Sequence, residues 1–167
     1  MRSCSDVHNY LLEQGVAHEI VHLPALSTTA RRAAALLGVP LREVVKSLLF
    51  DSERGPVVCL VPGDARVDLA RLSAELGCPS AVPVAAAEVV SLTGYRPGAL
   101  PPCGLAVDLP IVADPAVFEP PVVYCGGGTT TTMLKVRSAD LRAALGARVA
   151  AIAVRPQNGA ASRWAAV

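Results

Sequence analysis

Lys46 is the residue whose position most needs a chemical reason. It lies in 43-EVVKSLLF-50, where strand alternation puts it on one face with Val44, Leu48 and Phe50, and puts Val45, Ser47 and Leu49 on the other. Both faces are mostly apolar, so the strand reads as central. A charged amine is costly there unless something requires it. Snorkelling to a sheet edge is the bland account. The functional account is a pocket lysine that binds a phosphate or carboxylate, or polarises a carbonyl. Two glycine-rich stretches are the other candidates. 94-GYRPGALPPCG-104 carries three Gly and three Pro in eleven residues. Gly reaches positive φ freely and Pro fixes φ at about −65°, so such a loop adopts one shape. It either turns a corner in the fold or holds backbone groups against a ligand. 125-CGGG-128 lets backbone amides approach a ligand closely, but lacks the GxGxxG or GK[ST] spacing of a nucleotide site. A hairpin turn or bulge is its structural alternative. In the threonines that follow, alternation puts Thr130 and Thr132 on one face.

Nucleophile and metal chemistry find less support. Cys4, Cys59, Cys78, Cys103 and Cys125 are odd in number and widely spaced, with no CxxC pair, which fits neither a zinc site nor a disulfide framework. Cys59, in VVCLV, reads as a small core hydrophobe. Cys103 and Cys125 stand in or beside the glycine-rich loops, where a thiol nucleophile would need a base in reach. His8, His18 and His22 all lie near the N-terminus and form no catalytic pattern. No metal and no cofactor is expected.

The elements that must position these residues follow from caps and periodicity. Ser5 is placed to cap a helix over 5–14 that Gly15 ends. HEIVHL (18–23) alternates like a half-buried strand. Thr28 or Thr29 caps a helix that Gly38 ends, and Pro40 suits the first turn of a short helix. The strands 43–50 and 56–63 are joined by the turn DSERG and form a hairpin. Asp68 opens a helix over 68–77, AVPV (81–84) is a short strand, and 85–94 is a third helix. GLAVDL and PIVAD (104–114) read as short strands around a turn. A strand over 120–128 runs into the glycines and pairs with 129–136. Ser138 caps a helix over 138–146, and 147–154 is a last strand or the end of the core. Helices mixed with frequent hairpins predict an α+β fold with a mixed or antiparallel sheet. A single domain is expected over 1–155, with a frayed tail over 156–167.

Composition limits the function classes. The chain has 167 residues, 52% hydrophobic but only 4% aromatic, so its core should be aliphatic. Mean hydropathy is +0.44, yet no apolar run approaches the roughly 18–20 residues that cross a bilayer, and MRSCSDVHNYLLEQG lacks a signal-peptide core. A cytoplasmic location and no membrane partner are expected. The net charge of +1 is not the basic excess of a protein that binds DNA or RNA mainly through phosphates. A local basic rim could still recognise one end of an RNA. Arg31/Arg32 and Arg42/Lys46 are the early basic clusters, read first as solvated helix faces.

In order along the chain stand TTARRAAALLGVPLREVVKSLLF, VPGDARVDLARLSAELG, TGYRPGALPPCG and a strand into CGGG. This series, over about residues 16 to 146, resembles the YbaK/EbsC family, which includes the editing (insertion) domain of bacterial prolyl-tRNA synthetases and free-standing relatives. The resemblance implies a mixed, barrel-like β-sheet flanked by helices. It also implies a free-standing deacylase that hydrolyses the ester between a wrong amino acid and the 3′-terminal adenosine of a tRNA, tRNA(Pro) first. Lys46 falls on the family's strand lysine, Gly98 and Pro102 on its GxxxP loop, and Gly126, Gly127 and Gly128 on its glycine turn. Lys46, Gly98 and Pro102 are thereby the catalytic candidates. Thr29, Ser47, the three glycines and Thr132 are candidates for substrate binding. The implied partners are the aminoacyl-tRNA 3′ end and a prolyl-tRNA synthetase. An aminoacyl ester is already activated, so orientation and fixed N–H donors can carry the reaction without a protein nucleophile. Some relatives that deacylate Cys-tRNA have Tyr in the region of Leu23, Ser at Cys125 and Asp near Thr132, which puts that subgroup's specificity in doubt here. The alternatives are a module that binds a nucleotide or aminoacyl-adenosine without turnover, and a hydrolase using Cys103 or Cys125.

Overall fold

The computed structural model describes residues 1–156, so the expected tail lies outside the described residues from 157 onward. Helix α1 (Cys4–Glu13) is capped by Ser3, whose hydroxyl accepts from the Ser5 N–H while the Asp6 carboxylate accepts from the Ser3 N–H at 2.8 Å. This capping box moves the helix start ahead of the expected Ser5. Strand β1 (His18–His22) follows. Helix α2 (Ala30–Leu37) is capped by Thr29, which accepts the Arg32 N–H at 3.1 Å, and ends at left-handed Gly38. A 3₁₀ turn (Leu41–Glu43) leads into β2 (Val44–Ser52), which returns as β3 (Val57–Pro62) in the expected hairpin. Then come β4 (Arg66–Val67), α3 (Leu69–Leu76, capped by Asp68), β5 (Ala81–Pro83) and α4 (Ala86–Thr93). After the 94–104 loop stand β6 (Ile111–Ala113), β7 (Val122–Gly126), β8 (Thr132–Arg137), α5 (Ser138–Leu145), β9 (Arg148–Val149) and β10 (Ala153–Val154).

The fold is α+β, and the described residues form five helices around a mixed eight-stranded sheet of order β1-β8-β7-β2-β3-β6-β9, to which β5 adds beside β2. Strands β2/β7, β3/β6 and β6/β9 pair in parallel, and the other neighbours are antiparallel. Strand β2 is central, as its two apolar faces require. Val45 and Leu49 enter one core with Leu11, Val89, Leu100 and Leu141. Phe50 and Leu48 enter a second core with Leu72, and Val44 packs with Ala30 and Ala33 of α2. Strand β2 thus separates helices α1, α4 and α5 from α2 and α3.

Beyond the helix start at Ser3, four expectations are corrected. GLAVDL is not a strand: residues 104–110 run as irregular chain and only Ile111–Ala113 pairs. Thr129–Thr131 form a turn, and β8 begins at Thr132, so Thr130 and Thr132 do not share a strand face. Ser138 is not a cap but the first helical residue, buried, with its hydroxyl donating to the Phe118 and Pro121 carbonyls. The segment 147–154 divides into two short strands in different sheets, β9 in the main sheet and β10 paired with β4.

Candidate active site

On its β7 side, β2 is interrupted. Parallel pairing with β7 ends at Val45/Cys125, and pairing with β5 begins at Phe50/Pro83. Residues 46–49 have no strand partner on that edge among the described residues, although the Leu49 carbonyl accepts the Val84 N–H at 3.0 Å. The 94–104 loop fills the neighbourhood of this interruption. Its Leu100 and Ala99 carbonyls press onto Gly126, where an added Cβ would meet the Leu100 oxygen at 2.3 Å. The Gly128 N–H donates to the Ala99 carbonyl at 3.1 Å, and the Gly127 N–H donates to the Thr132 carbonyl at 3.1 Å. Gly98 has φ +83° and its Cα faces Thr28, so a side chain there is excluded by both space and conformation. The loop is tied at its ends. The buried Tyr95 hydroxyl donates to the Gly104 carbonyl at 2.8 Å, and burial raises its pKa above the ordinary phenol value. The Arg2 N–H donates to the Gly94 carbonyl at 2.9 Å. The opening of α1 rests on the glycine turn, since a Cβ on Gly128 would sit 2.8 Å from the Ser3 backbone.

The threonines close the turn. The Thr132 hydroxyl is buried, lies 2.8 Å from the Thr129 hydroxyl and accepts the Thr129 N–H at 3.3 Å. The segment before α2 joins the same wall, with the Leu23 and Ser27 N–H groups donating to the Thr131 and Thr130 carbonyls. Gly98, the three turn glycines and Thr132 therefore share one wall, built mostly from backbone. Thr28 and Thr29 stand beside it, Thr29 with its hydroxyl engaged as the α2 cap.

Lys46 and Ser47 behave differently. Lys46 is 5% exposed, and its ammonium donates to the Ala65 carbonyl in the loop between β3 and β4. Burial lowers its pKa, and nearby Asp64 acts against that shift. Asp64 is in turn paired through Oδ2 with Arg155 at 3.2 Å. The amine is thus inside the protein rather than at a sheet edge. Ser47, on the opposite face, lines an apolar crevice of about 210 Å³ with Phe50, Arg66, Val84, Pro97 and Leu100, next to Gly98. Its hydroxyl is buried without a hydrogen-bond partner among the described residues, a condition that calls for an explanation. Pro102, expected beside Gly98, lines a separate cavity of about 710 Å³ with Tyr10, Cys103 and Asp108 on the far side of the loop. Sequence reasoning had Thr28 only as an alternative helix cap, and missed Ala65 and the packing of the α1 start on the glycine turn. The only available signal was VPGDAR, read there as the end of a hairpin.

Neither of the two loop thiols is poised for attack. Cys103 and Cys125 are buried, and burial pushes the Cys103 thiol up to about 12 and Cys125 in the same direction, the reverse of an activated nucleophile. Among the described residues no group of three or more His, Cys, Asp or Glu is arranged to hold a metal, and no helix is long and apolar enough to cross a membrane.

Fold and site define an α+β domain with a pocket wall of backbone amides and carbonyls beside a buried lysine. Residues 25–144 match the aminoacyl-tRNA editing domain family, and the chain belongs to that family. It is 40% identical over 96 residues to the proline–tRNA ligase of Thermosipho africanus, covering 58% of this chain but only 17% of that ligase. It is 25% identical over 140 residues to the uncharacterized protein YwhH of Bacillus subtilis, covering 83% of this chain and 88% of YwhH. A solved structure described as a candidate trans-editing enzyme for prolyl-tRNA synthetase superposes with a TM-score of 0.84 at 33% identity, over 91% of this chain and 97% of that one. The hypothetical protein APE2540 gives 0.85 at 31% identity, over 89% and 99%.

Proposed function

We propose that this protein is a free-standing, cytoplasmic trans-editing deacylase that hydrolyses the aminoacyl ester of a mischarged tRNA, tRNA(Pro) first. The observation that carries the reading is the superposition of 91% of this chain on the candidate trans-editing structure, together with a preformed backbone wall at the 94–104 loop. The ester sits against Gly98 and the turn glycines, with Ser47 and Thr132 lining its surroundings and Thr29 holding the adjoining segment. Water adds to the ester carbonyl, the acyl C–O bond breaks, and the terminal ribose oxygen takes up a proton. A ribose hydroxyl of the substrate orients the water. The Gly127 and Gly128 N–H groups are engaged inside the wall, so the developing oxyanion is offset by N–H groups of the Gly98–Pro102 loop, that of Gly98 first, at about 3 kcal/mol per donor in acyl-transfer enzymes. An activated ester needs only positioning, which is consistent with Cys103 and Cys125 being buried with raised pKa values. Lys46, anchored at the Ala65 carbonyl close to Asp64, has to turn from that carbonyl to meet the ester carbonyl or the terminal phosphate, and it supplies positive charge together with Arg66 of the crevice. Pro102 fixes the loop from behind. A prolyl-tRNA synthetase supplies further tRNA affinity, which suits a chain of near-zero net charge.

The test is release of amino acid from Ala-, Cys- and Ser-tRNA(Pro) beside Pro-tRNA(Pro), with Lys46→Ala in parallel. Release from a mischarged species, lost in the variant, is the expected outcome. Binding of aminoacyl-tRNA without release, with synthetase present, would instead make the protein a binding module.

A further inference from the structure

His8, on the exposed side of α1, and His18, at the start of β1, bring their rings together beyond the wall and the crevice. His8 Nδ1 lies 2.8 Å from His18 Nε2, with ring centroids 4.9 Å apart and planes inclined at 56°. His18 Nδ1 lies 2.7 Å from the Val16 carbonyl oxygen. A carbonyl can only accept, so His18 Nδ1 carries the hydrogen, and the lone pair of the neutral ring is on Nε2. His8 Nδ1 then donates to that lone pair. A ring whose one N–H is fixed by a backbone carbonyl while the other nitrogen is left as a donor to a partner has the arrangement of a metal-binding histidine.

We propose that His8 Nδ1 and His18 Nε2 form a surface site for a divalent transition-metal ion of tetragonal preference, Cu²⁺ or Ni²⁺ ahead of Zn²⁺. With metal–nitrogen bonds of about 2.0–2.1 Å, two ligands at a right angle stand about 2.9 Å apart, and two at a tetrahedral angle about 3.3 Å. The hydrogen-bonded separation of 2.8 Å already lies near the right-angle span, so the His8 ring needs less displacement to reach that geometry than the tetrahedral one. The ion takes the place of the bridging hydrogen, which moves from Nδ1 to Nε2 of His8. The neutral pair therefore binds without net proton release, and a protonated pair must first lose one. His8 is exposed and His18 half-buried, so the His8 ring is free to swing until both lone pairs meet at the ion. Water completes the coordination, which keeps the affinity modest. The site ties α1 to β1. Because Ser3 abuts Gly128, Asp6 abuts Gly104 and Arg2 donates to Gly94, a bound ion also braces the frame of the 94–104 loop.

The test is calorimetric titration of the full chain with Ni²⁺ and with Zn²⁺ at about pH 7.5, where free imidazoles are mostly neutral, with thermal melting alongside. One Ni²⁺ per chain is expected, bound more tightly than Zn²⁺ and raising the melting temperature. His8→Gln and His18→Ala should each weaken Ni²⁺ binding about tenfold or more and remove the rise in melting temperature. His22→Ala should change neither. Unaltered Ni²⁺ binding in His8→Gln, loss of binding in His22→Ala, or Zn²⁺ binding more tightly than Ni²⁺ would overturn the site. His8 is exposed on its helix, so His8→Gln reports on the metal even if His18→Ala lowers the melting temperature of the metal-free protein.

Discussion

The wall at Gly98 and Gly126–Gly128 and the buried amine at Lys46 flank the same strand but are held in opposite ways. The wall has almost no side chains to lose. Its geometry comes from backbone groups meeting at van der Waals contact, as where the Leu100 carbonyl lies against Gly126. Lys46 is held by one side chain reaching 19 residues along the chain to Ala65, with Asp64 close by. A backbone wall is insensitive to pH and intolerant of added atoms. A buried amine tolerates small changes in shape and responds to charge. Substitutions at each region should therefore fail differently.

Gly126→Ala tests the wall most severely. Its Cβ would stand 2.3 Å from the Leu100 oxygen and 2.9 Å from the Leu100 carbon, atoms of the backbone that cannot simply rotate away. The loop must shift. Displacement of a positioning group by about 1 Å can cost on the order of 10²-fold in rate, and overpacking costs about 1–3 kcal/mol. Deacylation kinetics and urea unfolding should show both losses together. Full activity in a stably folded variant would detach the wall from the reaction.

Lys46→Met should separate the two effects. The stem volume is kept, and the Ala65 carbonyl loses its donor at a cost of about 1–3 kcal/mol. Removing a buried charge offsets part of that cost. Deacylation should be lost while the urea midpoint moves less than in Gly126→Ala. A large fall in the midpoint with activity retained would make the lysine a structural post.

These two regions were unequally legible in the sequence. VVKSLLF could be read as a central strand because both its faces are apolar, and the glycine turn because three adjacent Gly have few other uses. The partner of Lys46 could not be read, because Ala65 contributes only a carbonyl, which every residue has. GLAVDL alternates like a strand, but Gly104 at φ +69° and its carbonyl's bond to Tyr95 hold the chain out of the sheet. TTTT has the β-branching of a strand, yet its hydroxyls bond one another across a turn. Ser5 looked like a cap because Asp6 was not matched to Ser3, whose N–H it accepts. In each case side-chain type was visible and the backbone group it engages was not.

The thiols give a pH test with a defined sign. Burial raises Cys59 and Cys103 from 9.0 to about 12, so the folded chain keeps protons that the unfolded chain releases. Their contribution is complete below about pH 9 and is lost as pH rises toward 12. Lys46, lowered from 10.5, acts the other way and adds stability as pH rises. Urea midpoints between about pH 8 and 11 should therefore fall, more gently in Cys59→Ala and more steeply in Lys46→Met. In the native protein, iodoacetamide should label the partly exposed Cys4 and Cys78 and spare Cys103 and Cys125, with deacylation intact. Inactivation that tracks labelling of Cys103 or Cys125 would restore a thiol mechanism.

Ser47→Ala carries the smallest expected change in stability and distinguishes the two regions most finely. The hydroxyl is buried and unpartnered among the described residues, so deleting it removes an unsatisfied polar group and leaves the strand's packing intact. Such a change is near neutral or stabilising. If the hydroxyl is kept for the substrate, the urea midpoint holds or rises while deacylation falls, by about tenfold for one hydrogen bond of about 1.4 kcal/mol. Ser47→Val, which fills the same space with methyl groups, should lower activity in the same way. Unchanged rates in both variants would leave the backbone wall and Lys46 as the whole of the site, with the orphan hydroxyl of Ser47 outside the reaction.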